Sequence, residues 1–387
     1  MVCIVGWAHT PFGKLVEENV ESLLGDVTRK SMEHAGIGAA DVDGCFVGVV
    51  NNGFSSQDFT AGLFSLANDK LRHTPAVRLE NACASGSAAI HAARDFIMAG
   101  RGRLAVVVGV EKMSDTSTED IGKILLGASY VQEEGDVAGG FAGVFGQITQ
   151  SYFQRYGDKS SSLARIAAKN HFNALQNPNA HIQKDLGFNF CNNVSDKNPY
   201  VAAPLRRTDC SLISDGAAAI ILADEETARS MHRAIAFRAA VAINDFLPLS
   251  KRDPTRFEGA AIAWKSALKT ANLSIKDLSL VETHDCFTIA ELLEYEAMGL
   301  AKQGQGHRII DEGISQKDGA LPINPSGGLK AKGHPLGATG VSMHIMGAMQ
   351  LMNEADGMQI KGAELAGVFN MGGVAVANYV SILERIS

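Results

Sequence analysis

Apolar runs of Val, Ile, Ala and Leu recur along the chain at residues 45–50, 104–110, 216–223, 278–283, 365–370 and 373–383. They lack strict alternation with polar residues, which predicts strands covered on both faces. Periodicity alone does not separate such runs from buried helix. Between them lie Gly/Ala/Ser-rich segments at 83–99 and 337–352 that open on polar turns and predict closely packed helices, and 289–300 also reads as helix. Helices alternating with buried strands predict a layered α/β architecture. The first residues, Met1-Val2-Cys3-Ile4-Val5-Gly6, read directly as strand, with no basic leader and cleavage site.

The pattern occurs twice. Ala35-Gly36-Ile37 is echoed by Ala271-Asn272-Leu273, and Asp41-Val42 by Asp277-Leu278. Each echo is a helix end, a turn and an acidic step into an apolar strand. Each is followed by a small-residue helix, an apolar strand and a closing strand. This divides the chain into a half at 1–230 and a half at 231–387. A stretch at about 115–205, richer in Ser, Asn, Lys and Gln, interrupts the first half and has no counterpart in the second. Inserts of this kind form lids or binding loops, or simply elaborate the surface.

Composition narrows the function classes. The 387 residues carry a formal net charge of −7. A diffuse acidic balance argues against nucleic acid and anionic membranes, which require clustered Lys and Arg. It leaves room for a polyanionic small ligand met by a local basic patch. No apolar run reaches the about 18 residues of a membrane span, so a cytoplasmic location is expected. The six cysteines, Cys3, Cys45, Cys83, Cys191, Cys210 and Cys286, form no Cys-x-x-Cys pair and no zinc spacing with His. No metal is expected, and Cys3, Cys45 and Cys210 read as small buried hydrophobes.

Four segments carry candidate chemistry. In Asn81-Ala82-Cys83-Ala84-Ser85-Gly86, Cys83 sits at the predicted start of a helix. Free N–H groups and partial positive charge there are expected to lower its thiol pKa. In Gly333-His334-Pro335-Leu336-Gly337-Ala338-Thr339-Gly340, His334 occupies a Gly/Pro-bounded turn before the second small-residue helix, the place equivalent to Cys83. Imidazole is a natural base for a cysteine. Thr283-His284-Asp285-Cys286-Phe287 follows an apolar strand, a common site for chemistry in α/β folds. Asn370-Met371-Gly372-Gly373 lies between two apolar strands and is either a ligand-facing turn or an ordinary hairpin.

Together these segments, with Asn324-Pro325-Ser326-Gly327-Gly328, resemble the thiolase superfamily over nearly the whole chain. The resemblance implies a five-layered α-β-α-β-α fold of two duplicated halves with an inserted loop domain. Most thiolases have Asn-Glu-Ala-Phe where this chain has His284-Asp285-Cys286-Phe287, and a second catalytic Cys where it has Asn370. The block at 284–287 is similar to that of sterol-carrier-protein-type thiolases, where its Cys supplies the second thiol. The implied activity is reversible condensation or thiolysis of 3-ketoacyl-CoA through a Cys83 acyl-enzyme. His334 would be the base for Cys83, and Cys286 the acid or base at the alpha carbon. His284 and His334 would face the enolate oxygen, and the amides of Cys83 and Gly372 the tetrahedral oxyanion. Ser211 matches a position near pantetheine, while Arg206 and Arg207 either meet CoA phosphate or are ordinary surface charges. The resemblance further implies acyl-CoA and CoA as substrates without a separate cofactor, and a homodimer or homotetramer. Two alternatives stand beside this reading. One is a subunit that works with a small zinc-ribbon/OB-fold partner. The other is a homologue that binds acyl-CoA without turnover.

Overall fold

The computed structural model describes residues 1–386. Eleven strands form: β1 (Val2–His9), β2 (Gly44–Gly48), β3 (Ala76–Leu79), β4 (Leu104–Glu111), β5 (Tyr200–Ala202), β6 (Leu205–Arg206), β7 (Gly216–Asp224), β8 (Ile235–Asn244), β9 (Leu280–Thr283), β10 (Leu365–Gly372) and β11 (Ala377–Arg385). β5 and β6 make a separate small ladder, and the other strands run in the order β3-β2-β4-β7-β1-β8-β11-β10-β9. β1 and β8 pair only through Cys3–Ala236 and Ile4–Ile235, so two half-sheets are joined at one corner.

The half-sheets repeat one topology. β2 and β4 are parallel, and β4–β7 and β7–β1 antiparallel. In the same order β9 and β10 are parallel, and β10–β11 and β11–β8 antiparallel. The place of β3 in the second half is taken by a single parallel bridge between Val281 and Ile323. The local echo is equally close. Gly36 (φ 71°) and Asn272 (φ 54°) end corresponding helices in left-handed conformation. In the following turns the Asp41 carboxylate accepts the Gly38 N–H at 2.8 Å and Asp277 accepts that of Ser274 at 2.7 Å.

Seven longer helices complete the layers: α1 (Val20–Ala35), α2 (Ser85–Met98), α3 (Gly140–Tyr156), α4 (Ser160–Ala174), α5 (Glu258–Ala271), α6 (Thr288–Ala297) and α7 (Leu336–Met352). α1 covers the outer face of the first half-sheet and α5 that of the second. α2 and α7 lie between them, and α7 touches both half-sheets. This is the five-layered arrangement that the resemblance implies. The central pair cross almost backbone to backbone. A Cβ on Gly86 would lie 2.6 Å from the Gly337 carbonyl oxygen, and one on Gly340 2.5 Å from the Ser87 amide nitrogen. Small residues are required at this crossing by close approach rather than by propensity. The segment between β4 and β7 is largely helical, with α3 packed on Thr118–Leu126 and α4 on α6. No helix among the described residues is long and apolar enough to cross a membrane.

Candidate active site

Cys83 follows β3 on a sharp bend. The helix predicted from residue 83 begins two residues later, at Ser85. Ala82 has φ 49°, a left-handed conformation that costs energy for a residue with a Cβ. The bend is pinned by Ser85, whose hydroxyl accepts the Asn81 N–H at 2.9 Å and donates to the Ala82 carbonyl at 2.7 Å. The sequence predicts a thiol lowered by the helix end, and the structure reverses this. Burial pushes the Cys83 thiol up to about 12, reinforced by the Glu111 charge and opposed by the amides of Cys83 and Gly373. Desolvation of the charged form outweighs the helix terminus. The amide beside the sulfur is that of Gly373, the neighbour of Gly372 in the glycine turn. Gly372 serves close approach: a Cβ there would lie 2.3 Å from the Asn81 carbonyl oxygen.

His334 lies between Gly333 (φ 115°) and the proline that precedes α7. Its backbone N–H donates to Ser214 Oγ at 3.3 Å. Its Nδ1 meets Thr339 Oγ1 at 2.7 Å, and that hydroxyl donates its proton to the Pro335 carbonyl at 2.9 Å. The Thr339 oxygen must therefore accept from Nδ1–H, which leaves the Nε2 lone pair free. Burial, with the nearby Lys332 charge, lowers this imidazole to about 3. At neutral pH the Cys83 and His334 side chains are both uncharged.

His284 and Cys286 leave the end of β9 toward the same point. A ring nitrogen of each of His284 and His334 and the Cys83 sulfur lie within 4.8 Å of one another. The two rings are edge to face, with centroids 5.0 Å apart. His284 Nδ1 contacts Asn370 Nδ2 at 2.8 Å, while its Nε2 is buried without a partner. Burial holds the Cys286 thiol well above its ordinary value, with the Cys83, Glu294 and Asp285 charges adding to the effect.

Two cavities meet at Cys83. One, of about 240 Å³, is lined by Cys83, Cys286, His334, Ser211 and Phe287 among others. Ser211 donates its backbone N–H to the Cys286 carbonyl at 2.8 Å, which ties the segment at 210–211 to the reactive loop. The other cavity, of about 300 Å³, reaches past Val50, Phe54, Ile124, Leu247 and Val376 to Asn52 and Glu80. Leu125 and Phe141 line both and stand between them. Both residues come from the 115–205 insert.

Two expectations change in the structure. Arg206 is 2% exposed, and its guanidinium donates to Asp209 Oδ2 at 2.7 Å, the Asn192 carbonyl at 3.0 Å and the Ser160 carbonyl at 2.7 Å. It is a buried strut and offers no face to phosphate; Arg207 is exposed. Cys210, read as a buried hydrophobe, is partly exposed and lines the smaller cavity, whereas Cys3 and Cys45 are buried. Two buried carboxylates have roles that the sequence does not assign, although Asp285 lies within the block at 283–287. Asp285 accepts the amides of Leu329 at 2.6 Å and Lys330 at 3.1 Å, joining the 284–287 loop to the segment that carries His334. Glu111 accepts the amides of Val50, Asn51 and Gly337 at 3.0, 2.9 and 3.0 Å, joining the loop after β2 to the start of α7. Their only sequence signal is an acid at the end of an apolar run.

Comparison with known proteins places this geometry. Residues 2–226 match the thiolase N-terminal domain model and residues 243–385 the thiolase C-terminal domain-like model. The chain belongs to the thiolase family. It is 34% identical over 387 residues to the acetyl-CoA acetyltransferase of Methanothermobacter thermautotrophicus, covering 99% of each chain. It is 31% identical to human sterol carrier protein 2, covering 96% of this chain and 70% of that one. Among solved structures, an Ltp2-ChsH2(DUF35) aldolase aligns with TM-score 0.83 at 18% identity, over 99% of this chain and 97% of that one.

Proposed function

We propose that this protein is an acyl-CoA C-acyltransferase that makes or cleaves 3-ketoacyl-CoA through an acyl group carried on Cys83. The observation that carries the reading is the meeting of Cys83, Cys286 and His334 on one small cavity, with His284 beside them.

In the cleavage direction His334 Nε2 takes the Cys83 proton, and the thiolate attacks the 3-keto carbon. The resulting oxyanion would be met by the Cys83 amide and by the glycine turn, where the Gly372 amide is followed by that of Gly373. The bond between carbons 2 and 3 breaks, and the electron pair forms an enolate thioester whose carbon takes a proton from Cys286. The enolate oxygen lies toward His284 Nε2. A buried donor aimed at developing charge lowers a barrier without reorganising at the moment of reaction. CoA then enters and gives its thiol proton to the Cys286 thiolate, and its sulfur attacks the acyl-enzyme. Cys83 leaves and recovers its proton from His334. Condensation is the same sequence reversed. The raised thiol of Cys286 suits this cycle, since a thiol that holds its proton at neutral pH is an acid in cleavage. The cavity with Ser211 would take the pantetheine arm, and the larger one the acyl group.

The test is acylation. Incubation with acetyl-CoA should add about 42 Da to the Cys83 peptide, as one acetyl group requires. Cys83→Ala should lose both adduct and turnover. Cys286→Ala should lose turnover and keep the adduct. Near-normal thiolysis by Cys286→Ala would refute the role of the second thiol. Acyl-CoA binding without any adduct on the wild type would favour a non-catalytic homologue.

The likeness to the fold of a two-component aldolase gives a second reading some support. In it the chain condenses or cleaves only beside a small partner protein, which co-purification from the native host would reveal. We also propose a homo-oligomer and a cytoplasmic location, checked by light scattering and cell fractionation.

A further inference from the structure

We propose that Asn370 is a positioning residue that fixes the tautomer of His284, so that its buried Nε2 presents a proton rather than a lone pair to the reacting atoms.

Asn370 is completely buried on β10, where it touches elements from both halves of the chain. Its Nδ2 is 3.2 Å from the Cys83 carbonyl oxygen, and its Oδ1 accepts the Ser87 hydroxyl at 2.7 Å. A carbonyl oxygen can only accept, so the atom facing it must be the NH2 group of the amide. The same Nδ2 lies 2.8 Å from His284 Nδ1. A donor at that distance needs a lone pair on Nδ1. A neutral imidazole with a lone pair on Nδ1 carries its proton on Nε2. Burial disfavours the doubly protonated ring. The chain of constraint runs from Ser87 and the Cys83 carbonyl through Asn370 to His284. It ends at an Nε2–H that has no partner of its own. An unpaired buried donor is costly unless something accepts from it, and an enolate oxygen beside Cys286 is such an acceptor.

This arrangement also decides between two uses of the trio. Cys83, His284 and His334 are the right residue types for a soft metal ion. A metal ligand needs a lone pair, and His284 turns a proton inward. The amide therefore sets the site for an oxyanion.

The inference rests on the thiolase reading for its kinetic consequence but not for the tautomer itself. Long-range proton–nitrogen NMR on the 15N-histidine-labelled wild type should show His284 protonated on Nε2, and protonation on Nδ1 would overturn the proposal outright. In Asn370→Asp the side chain can only accept, so the His284 proton should move to Nδ1. Asn370→Ala should leave both tautomers populated. In Asn370→Ala acetylation of Cys83 by acetyl-CoA should fall much less than thiolysis, whereas Asn370→Asp also sets an acceptor against the Cys83 carbonyl and is read by its tautomer. The kcat for thiolysis should fall about 100-fold, the loss typical of one oxyanion donor, with KM little changed. Ser87→Ala, which removes only the anchor on Oδ1, should have a smaller effect. An unaltered kcat in a folded variant with the wrong tautomer would also overturn the proposal. A wild type that forms no acyl-enzyme would instead refute the thiolase reading and leave the tautomer result standing.

Discussion

At the scale of single residues, the nucleophile and its base are stored as a neutral pair. Burial raises Cys83 to about 12 and lowers His334 to about 3. No ion pair is preformed, and proton transfer must be coupled to attack on a substrate. Alkylation of Cys83 by iodoacetamide should therefore keep accelerating as pH rises through the ordinary thiol value of 9.0 toward about 12. A plateau near 9 would show a solvated thiol instead. Thr339 holds the base in its working tautomer, as Asn370 does for His284. Thr339→Val should slow acetylation of Cys83 by up to the about 100- to 10,000-fold that a positioned general base supplies. Stopped acetyl-CoA incubations followed by mass spectrometry would measure it.

At the scale of elements, the site depends on the crossing of α2 and α7. A methyl at Gly86 would press on the Gly337 carbonyl, and both backbones are hemmed in by strands. Gly86→Ala should cost about 1–3 kcal/mol of stability, the usual penalty of overpacking, read from the denaturant midpoint. The wall between the cavities is softer, because it comes from the insert. Shortening Phe141 to Leu opens one side of that wall beside Leu125. The kcat/KM across an acyl-CoA panel should shift toward longer or branched chains in Phe141→Leu. An unchanged profile would mean that the larger cavity does not take the acyl group. Beneath the site, Lys169 on α4 pairs with Glu291 on α6 at 2.9 Å, both fully buried. Removing one partner strands the other charge. Lys169→Met should destabilise the protein by about 3–5 kcal/mol.

At the scale of the whole molecule, buried titratable groups set the response to acid. Burial lowers His9, His91, His171 and His334 to about 3 and His344 to about 4, from an ordinary 6.5. The unfolded chain binds these protons first, so their contribution is present above 6.5 and is lost as pH falls. Buried carboxylates act in the opposite sense. Glu111 is raised to about 7 from an ordinary 4.5, and Asp285 to about 8 from 3.8. Between those values the folded state holds protons that the unfolded chain has released, so mild acid favours folding. The two sets oppose one another from about 6.5 downward, Glu111 until about 4.5 and Asp285 until about 3.8, and below that only the histidines remain. With five histidines against two carboxylates, urea midpoints should decline from about pH 6.5 downward and more steeply once the carboxylates stop contributing near pH 4. Midpoints that stay level down to about pH 4 would mean that the histidines are not held neutral by burial.

The sequence by itself determined the layered fold, its doubling and the loops that bear the chemistry, because each is written in contiguous residues. Apolar runs marked the strands, small residues the central helices, and the echo of Ala35-Gly36-Ile37 in Ala271-Asn272-Leu273 the duplication. It also named Cys83, His284, Cys286 and His334, since their residue types and glycine-bounded turns are local signals. Only the tertiary structure decided what surrounds them. The depth of Cys83 reversed the sign of its pKa shift, a carbonyl across the sheet fixed the face of Asn370, and Asp209 took Arg206 out of reach of any phosphate. Desolvation and the partners of Asn370 depend on residues hundreds of positions apart, and even the Arg206–Asp209 pair, three residues apart, is decided by the folded chain that buries it and brings the Ser160 carbonyl to the same guanidinium.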